Sequence, residues 1–414
     1  MAKKPKSVED WYALEFEIGQ LFDGAPIDEE DLFAGRATEV TRILRAVFEK
    51  SKHVVLFGER GVGKTSLSNI FWKRFNKGLQ SFIVARVQGG PKHTFASIWK
   101  NGLEELHAVA VSQGRGDLIR VDSVLDDYTP STVRRELQKC NANAIPVIIV
   151  DEYDKLKDRE AKELTANLIK ELYDYAVPVT IILVGVADSI AELVEDHQSV
   201  GRAVVQVPLN RMNEIELREI IEKRVSRTSM SFSADAKWTI ITLSRGLPYF
   251  TQILSKFSAQ AAIDRKSLTV SNADVEVAMK KFIEDSEVSF RDEYREATRS
   301  NQANFFQQSL LACALAKTDE EGFFTANDVV QPYSSIMKEK KRIAHFEKHL
   351  RRFASDEGGN ILIKRGGDRQ LIFRFEDPMM QPYVIIRGIQ SGMIDDDART
   401  TLLQIEQRTL DLGS

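Results

Sequence analysis

Two short segments of this 414-residue chain bring together residue types that do chemistry on phosphates. Gly58-Glu59-Arg60-Gly61-Val62-Gly63-Lys64-Thr65 matches G-x-x-x-x-G-K-[ST] at every fixed position, and Ser66 follows it. Glycines at that spacing let backbone N–H groups turn inward around phosphate oxygens. Lys64 supplies charge for β- and γ-phosphates, and the Thr65 hydroxyl suits Mg²⁺. The second segment is the apolar run Pro146 to Val150, which ends in Asp151-Glu152. An apolar strand ending in two carboxylates delivers them to the carboxyl edge of a sheet, where α/β proteins bind ligands. Asp151 there would orient Mg²⁺ together with Thr65, and Glu152 would polarise an attacking water. The chemistry implied is Mg²⁺-assisted hydrolysis of ATP to ADP. The plain alternatives are a glycine-rich turn and a solvated acidic strand end.

The elements around these segments have the order that such a site needs. Short β-rich runs at His53 to Phe57, Phe82 to Val87, Ile145 to Val150, Val179 to Val186 and Val204 to Val207 alternate with helical patterns. Near-continuous Val/Ile/Leu runs of this length suit a parallel sheet covered on both faces. The first run enters the glycine loop, and a helical pattern from Ser66 to Phe75 leaves it. The sequence therefore predicts an α/β phosphate-loop core over residues 34–210, preceded by a polar lead-in over 1–33. A helical lid is predicted over 211–285, with Asn213 capping its first helix and Glu216 three residues on. A charged linker or exposed helix over 286–302 follows, then a mixed module over 303–390 and a tail over 391–414. Three helices followed by a hairpin around Gly366-Gly367 give the mixed module the element order of a winged helix.

Composition narrows the class. Charged residues make up 29% and hydrophobic residues 43%, which excludes a disordered or collagen-like chain. The formal net charge of −4 excludes a globally basic nucleic-acid coat but not a local basic patch. Cys140 and Cys313 stand far apart, outside any metal spacing, and the six histidines are scattered. This predicts a reducing compartment, with no disulfide framework and no structural zinc. No apolar run approaches the length that spans a bilayer, and nothing near the N-terminus reads as a secretory signal. The expectation is a cytoplasmic protein with no membrane partner.

The phosphate loop, the Asp151-Glu152 strand end and the strand order together resemble an AAA+ ATPase over roughly residues 30 to 390. The resemblance is narrower to the initiator branch, which contains origin-recognition-like ATPases, and to its STAND signalling relatives. It implies a nucleotide-driven switch with a homo-oligomeric or ATPase partner subunit. Gly35 and Arg36, in Leu32-Phe33-Ala34-Gly35-Arg36, match the family's entry box beside the adenine; an ordinary helix entry is the alternative. Asp188 falls near the position of the sensor-1 residue, or else caps a helix. Arg202 matches the arginine that reaches a neighbouring subunit's γ-phosphate, or is an exposed loop residue. Gly246-Leu247-Pro248 departs from the initiator pattern and is similar to the Gly-x-Pro element of STAND ATPases, whose use is contact with bound nucleotide. Pro248 also fits a plain helix start.

In the C-terminal module, residues 338–352 hold seven Lys/Arg against two Glu. A helix over 338–353 would place Lys341, His345, Lys348 and Arg352 on one face, opposite Ile343, Phe346, Leu350 and Phe353. A basic helix with a basic wing suits docking to duplex DNA. Yet residues 303–390 hold 13 basic and 11 acidic residues, and winged helices also bind proteins. Two readings follow. One is an ATP-hydrolysing switch that binds DNA and couples nucleotide state to assembly or partner recruitment. The other is a STAND-like signalling or defence ATPase whose C-terminal module binds protein.

Overall fold

The computed structural model describes residues 5–27, 29–73, 81–141, 143–186, 200–286, 288–300, 304–367 and 371–394. The chain divides into two compact units. One comprises Pro26–Glu59 and Gly63–Leu209; the other comprises Met1–Ala25, Arg60–Val62 and Asn210–Ser414.

The first unit is built on five parallel strands: β1 (His53–Phe57), β2 (Ser81–Gln88), β3 (Ala144–Asp151), β4 (Thr180–Gly185) and β5 (Val204–Pro208). Their order is β2-β3-β4-β1-β5, so β4 lies between the strand entering the glycine loop and the strand carrying the acidic pair. Val55, Ile83, Ile148 and Ile181 are fully buried and share a core with Trp99, Leu103 and Leu106 of the helix Phe95–Ser112. Burial on both faces explains the unbroken Val/Ile composition of β3 and β4. A side-chain and backbone capping box at Thr94 starts that helix. Because every strand runs the same way, the loops after β1, β3 and β4 all leave from one edge. In β2 and β3, Arg86 stands opposite Ile149 and Gln88 opposite Asp151. The period of two puts Arg86 and Gln88 on one face of β2.

The second unit is mostly helical. Asn213 caps the helix Glu214–Val225 with Glu216 completing the box. The helices Ala234–Ser244, Pro248–Asp264 and Asn272–Asp285 follow. The two-residue parallel strands β6 (Ser231–Phe232) and β7 (Thr269–Val270) pair with each other. Further along lie the helices Phe306–Leu315 and Ala326–Ile336 and a three-stranded antiparallel sheet. That sheet has the order β8 (Phe324–Thr325), β10 (Ile372–Phe375), β9 (Leu362–Arg365). Glycine-rich chain at Gly366-Gly367 follows β9, and the helix Met380–Gln390 follows β10.

Three features differ from the sequence reading. The polar lead-in over 1–33 contains the helix Val8–Leu21, with Trp11, Leu14 and Ile18 buried. Their spacing is helical, but the acidic residues between them mask it. Residues 286–302, read as a charged linker or an exposed helix, contain the helix Val288–Thr298, which differs in having Tyr294 and Ala297 buried. The stretches 211–285 and 303–390 lie in one compact unit, where Phe282 packs edge-on against both Phe250 and Tyr383.

Candidate functional site

The loop after β1 turns through left-handed backbone at Gly61 (φ 83°) and Gly63 (φ 96°), which a side chain would strain. Val62 between them is fully buried and anchors the turn. The helix Lys64–Ile70 starts directly behind it. The Lys64 ammonium folds back over the loop and donates to the carbonyls of Glu59 at 2.7 Å and Gly58 at 3.0 Å. Glu59 is buried and Arg60 is exposed. Ser66 Oγ accepts the Ile27 N–H at 3.0 Å, so the entry segment lies along this helix. Gly35 and Arg36 are consecutive left-handed residues (φ 63° and 61°), after which the helix Ala37–Phe48 begins. The Arg36 side chain is buried and pairs with Glu39 at 3.2 Å.

At the end of β3, Asp151 accepts hydrogen bonds on both oxygens. Oδ2 receives the Thr65 hydroxyl at 2.9 Å and Arg86 Nη2 at 2.5 Å, and Oδ1 receives the Glu152 N–H at 2.9 Å. Arg86 also donates to Ser68 Oγ at 3.2 Å and to Asn69 Oδ1. Glu152 is left-handed (φ 53°) and directs its carboxylate to Gln88 Nε2 at 2.7 Å and Lys155 Nζ at 2.5 Å. The turn needs Gly89, whose N–H donates to the Asp151 carbonyl at 2.6 Å. A Cβ at that position would lie 2.7 Å from the Glu152 carbonyl oxygen. Asp154 Oδ1 lies 3.0 Å from where a Gly185 Cβ would stand, which puts a third carboxylate at the end of β4.

These donors fit a hydrated Mg²⁺. A threonine hydroxyl that donates to Asp151 keeps its lone pairs for a cation, and a carboxylate beside it can hold the cation's water shell. Lys64, the loop amides and Thr65 are the groups that would hold the phosphates. Among the described residues no separate cluster of His, Cys, Asp and Glu could hold a metal. Both cysteines are free and buried.

The structure thus brings Lys64, Thr65, Asp151 and Glu152 to one edge of one sheet. Asp188 lies outside the described residues. Arg202 is exposed just before β5, and its carbonyl accepts Lys52 Nζ at 2.7 Å. His53 stands opposite Val204, so Arg202 sits at the amino edge of the sheet. That is ~16 Å from the loop, counting five residues of β1 at ~3.3 Å each, so Arg202 does not reach the site of its own chain. Pro248 belongs to the other unit, in the first turn of its helix. Before it, Gly246 (φ 80°) accepts the Met212 N–H at 2.9 Å.

The basic set of the C-terminal module is not a single helical face. Only Glu347–Phe353 is α-helical; residues Ile343–His345 form a 3₁₀ turn. Lys341 pairs with Glu339 at 2.6 Å, and His345 Nδ1 lies 3.0 Å from the Arg342 carbonyl. Lys348 is exposed. Arg352 turns inward, donating to the Ala297 carbonyl at 2.6 Å and the Glu357 carbonyl at 3.0 Å over the Phe306 ring. A continuous helical wheel misplaces it because the chain breaks the helix at Phe346.

Arg86, Gln88, Lys155 and Asp154 are site residues that motif reading passes over. The first two leave a signal, since polar residues two apart in the run Phe82 to Gln88 mark one strand face. Lys155 and Asp154 leave none, because their approach depends on the left-handed turn at Glu152.

Among the described residues no helix is long and apolar enough to cross a membrane. The fold is similar to that of the Walker-type ATPase of Pyrococcus abyssi, which is 17% identical, with 88% of this chain and 99% of that one covered at a TM-score of 0.54. The ORC1 protein of Aeropyrum pernix, solved in complex with DNA, is 15% identical, with 89% and 95% covered at a TM-score of 0.49. The RuvB Holliday junction branch migration motor of Thermotoga maritima is 15% identical, with 86% and 96% covered at a TM-score of 0.44. No curated protein matches the sequence. The family model of Novel STAND NTPase 1 matches residues 25–272, more than half of the chain and all of the sheet with its glycine loop and acidic pair, and the chain belongs to that family.

Proposed function

We propose that this protein is an ATP-binding and ATP-hydrolysing switch whose nucleotide state governs assembly or the recruitment of a protein partner. The observation that carries the reading is the 2.9 Å hydrogen bond between Thr65 and Asp151. It joins the glycine loop to the acidic strand end at the edge where a Mg²⁺-bound triphosphate needs both. In this reading Gly58 to Ser66 hold the phosphates, Thr65 and Asp151 hold the metal, and Glu152 is the base. When bound, Mg²⁺ supplies charge neutralisation on the β- and γ-phosphates. Gly35 and Arg36 contact the rest of the nucleotide, and Arg202 serves the site of a second subunit. Lys64→Ala should abolish binding of Mg·ATP in calorimetric titration. Glu152→Gln should bind ATP and lose turnover by about 10²-fold or more. Equal turnover in Glu152→Gln removes Glu152 as the base.

The C-terminal stretch 303–390, read as a winged helix, is the partner-contacting module. Inward-turned Arg352 and paired Lys341 favour a protein partner over duplex DNA. DNA binding is the second reading, and it is favoured by the exposed Lys338, Lys340, Arg342, Lys348 and Arg351. ATPase rate with and without duplex DNA, with anisotropy of labelled duplex at low salt, separates the two. Affinity that falls steeply with salt and is lost in a Lys340→Ala, Arg342→Ala, Lys348→Ala triple variant supports DNA.

A further inference from the structure

We propose that Arg86 is a positioning residue that supplies at Asp151 the positive charge a divalent metal brings elsewhere, so that nucleotide binding here depends only weakly on Mg²⁺. The proposal rests on the nucleotide reading above. It starts from where β2 puts the guanidinium. Arg86 sits on the strand next to β3, two residues before Gln88, which is level with Asp151. From there its fork reaches three acceptors on two elements. They are Asp151 Oδ2 at 2.5 Å on the acidic strand, and Ser68 Oγ at 3.2 Å and Asn69 Oδ1 on the helix behind the glycine loop. A planar guanidinium with five donors is suited to bridging acceptors in this way, and an ammonium is not.

The consequence for a metal is electrostatic. Oδ2 of Asp151 already has two donors, Thr65 and Arg86, and Oδ1 has the Glu152 N–H. A hydrated dication must compete with the guanidinium for the same carboxylate oxygen. It also feels the repulsion of a full positive charge held in a pocket where the Asp151 side chain is 10% exposed. Metal binding therefore gains less at this carboxylate than it would if Asp151 were bare. Meanwhile Lys64, folded over the glycine loop, and Arg86, held against Asp151, keep two positive charges at this edge of the sheet whether or not a metal is there. Arg86 does not lie on the exposed surface as a free side chain: a third of it is exposed and the rest is packed between the strand and the helix.

A purely structural strut would behave differently. It would lower stability on removal and leave the effect of metal on affinity alone. The discriminating quantity is the ratio of the dissociation constant for a fluorescent ADP analogue in EDTA to that in Mg²⁺. It is measured on the full chain for wild type, Arg86→Gln and Arg86→Lys. Wild type should give a ratio below about tenfold, Arg86→Gln should raise it by about tenfold or more, and Arg86→Lys, which keeps the charge without the fork, should fall between the two. A ratio unchanged in Arg86→Gln overturns the proposal, and so does a wild-type ratio above about tenfold. The wild-type ratio decides the matter by itself if circular dichroism shows Arg86→Gln unfolded. No binding by wild type in either buffer overturns the nucleotide reading, and this proposal with it. An unchanged ratio with intact binding overturns this proposal alone.

Discussion

The Lys155 ammonium lies 2.5 Å from Oε1 of Glu152, across a turn that the left-handed backbone of Glu152 creates. A carboxylate so paired is held against its partner and must leave it to turn toward a water. Both side chains are partly exposed, so the pair is worth at most about 1 kcal/mol. Lys155→Ala should therefore raise the maximal rate of ATP hydrolysis up to about fivefold and leave nucleotide affinity unchanged. Steady-state kinetics with phosphate release as readout checks this. A fall in the maximal rate would mean that Lys155 assists the reaction and does not restrain its base.

Gly89 is placed where only glycine fits. Its Cβ would meet the Glu152 carbonyl oxygen at 2.7 Å and the Asp151 carbonyl oxygen at 3.2 Å, both backbone atoms that cannot rotate away. Gly89→Ala should destabilise the protein by about 1–3 kcal/mol through this clash. It should also displace Gln88 from Glu152, so turnover changes more than the urea midpoint does. An alanine variant with wild-type midpoint and turnover would show that the strand end yields freely.

The parts of this molecule that sequence reading reached share a physical property: they are specified locally. Five apolar runs became five strands, and in β3 and β4 burial on both faces demands such composition, while edge strand β5 buries Val204 and Val207 and leaves Gln206 exposed. Asn213 and Glu216 formed their capping box because the motif closes within one turn. Thr65 and Asp151 met because sheet topology fixes where strand ends go. What sequence reading missed depends on distant partners. Helix Val8–Leu21 packs in the unit made by residues after 210, and nothing in the first 33 residues shows that. Lys341 and Arg352 fit a helical wheel on paper, but Phe346, fully buried, interrupts the helix that the wheel assumes. Asp188 falls outside the described residues, so its sensor role rests on sequence resemblance.

Arg224 ties the N-terminal helix to its unit. Its fully buried guanidinium donates to the Leu21 carbonyl at 2.8 Å and to Gln252 Oε1 at 3.0 Å, and it faces the Phe22 ring at 5.7 Å. Burial pushes its pKa down to about 10, so it remains charged near neutral pH. Arg224→Met would leave the part-buried Leu21 carbonyl and the buried Gln252 oxygen without these donors, at a cost of about 2–4 kcal/mol. Hydrogen exchange should then lose protection over residues 8–21 first. Uniform loss across the chain would show that the arginine supports the whole fold and not this attachment.

His53 makes stability depend on acidity at the other edge of the sheet. The side chain is fully buried, and its Nδ1 accepts the Ile181 N–H at 3.0 Å. Burial pushes its pKa down to about 3, against an ordinary value of 6.5. Between those values the unfolded chain binds a proton that the folded chain excludes, so stability falls as pH drops below about 6.5. From pH 7 to pH 5 this single group should cost about 2 kcal/mol of unfolding free energy. His53→Asn offers an amide oxygen for the Ile181 N–H and has no proton to take up, so it should flatten that part of the pH profile. Urea midpoints at the two pH values test this, and an equal slope in both proteins would assign the acid sensitivity to other groups.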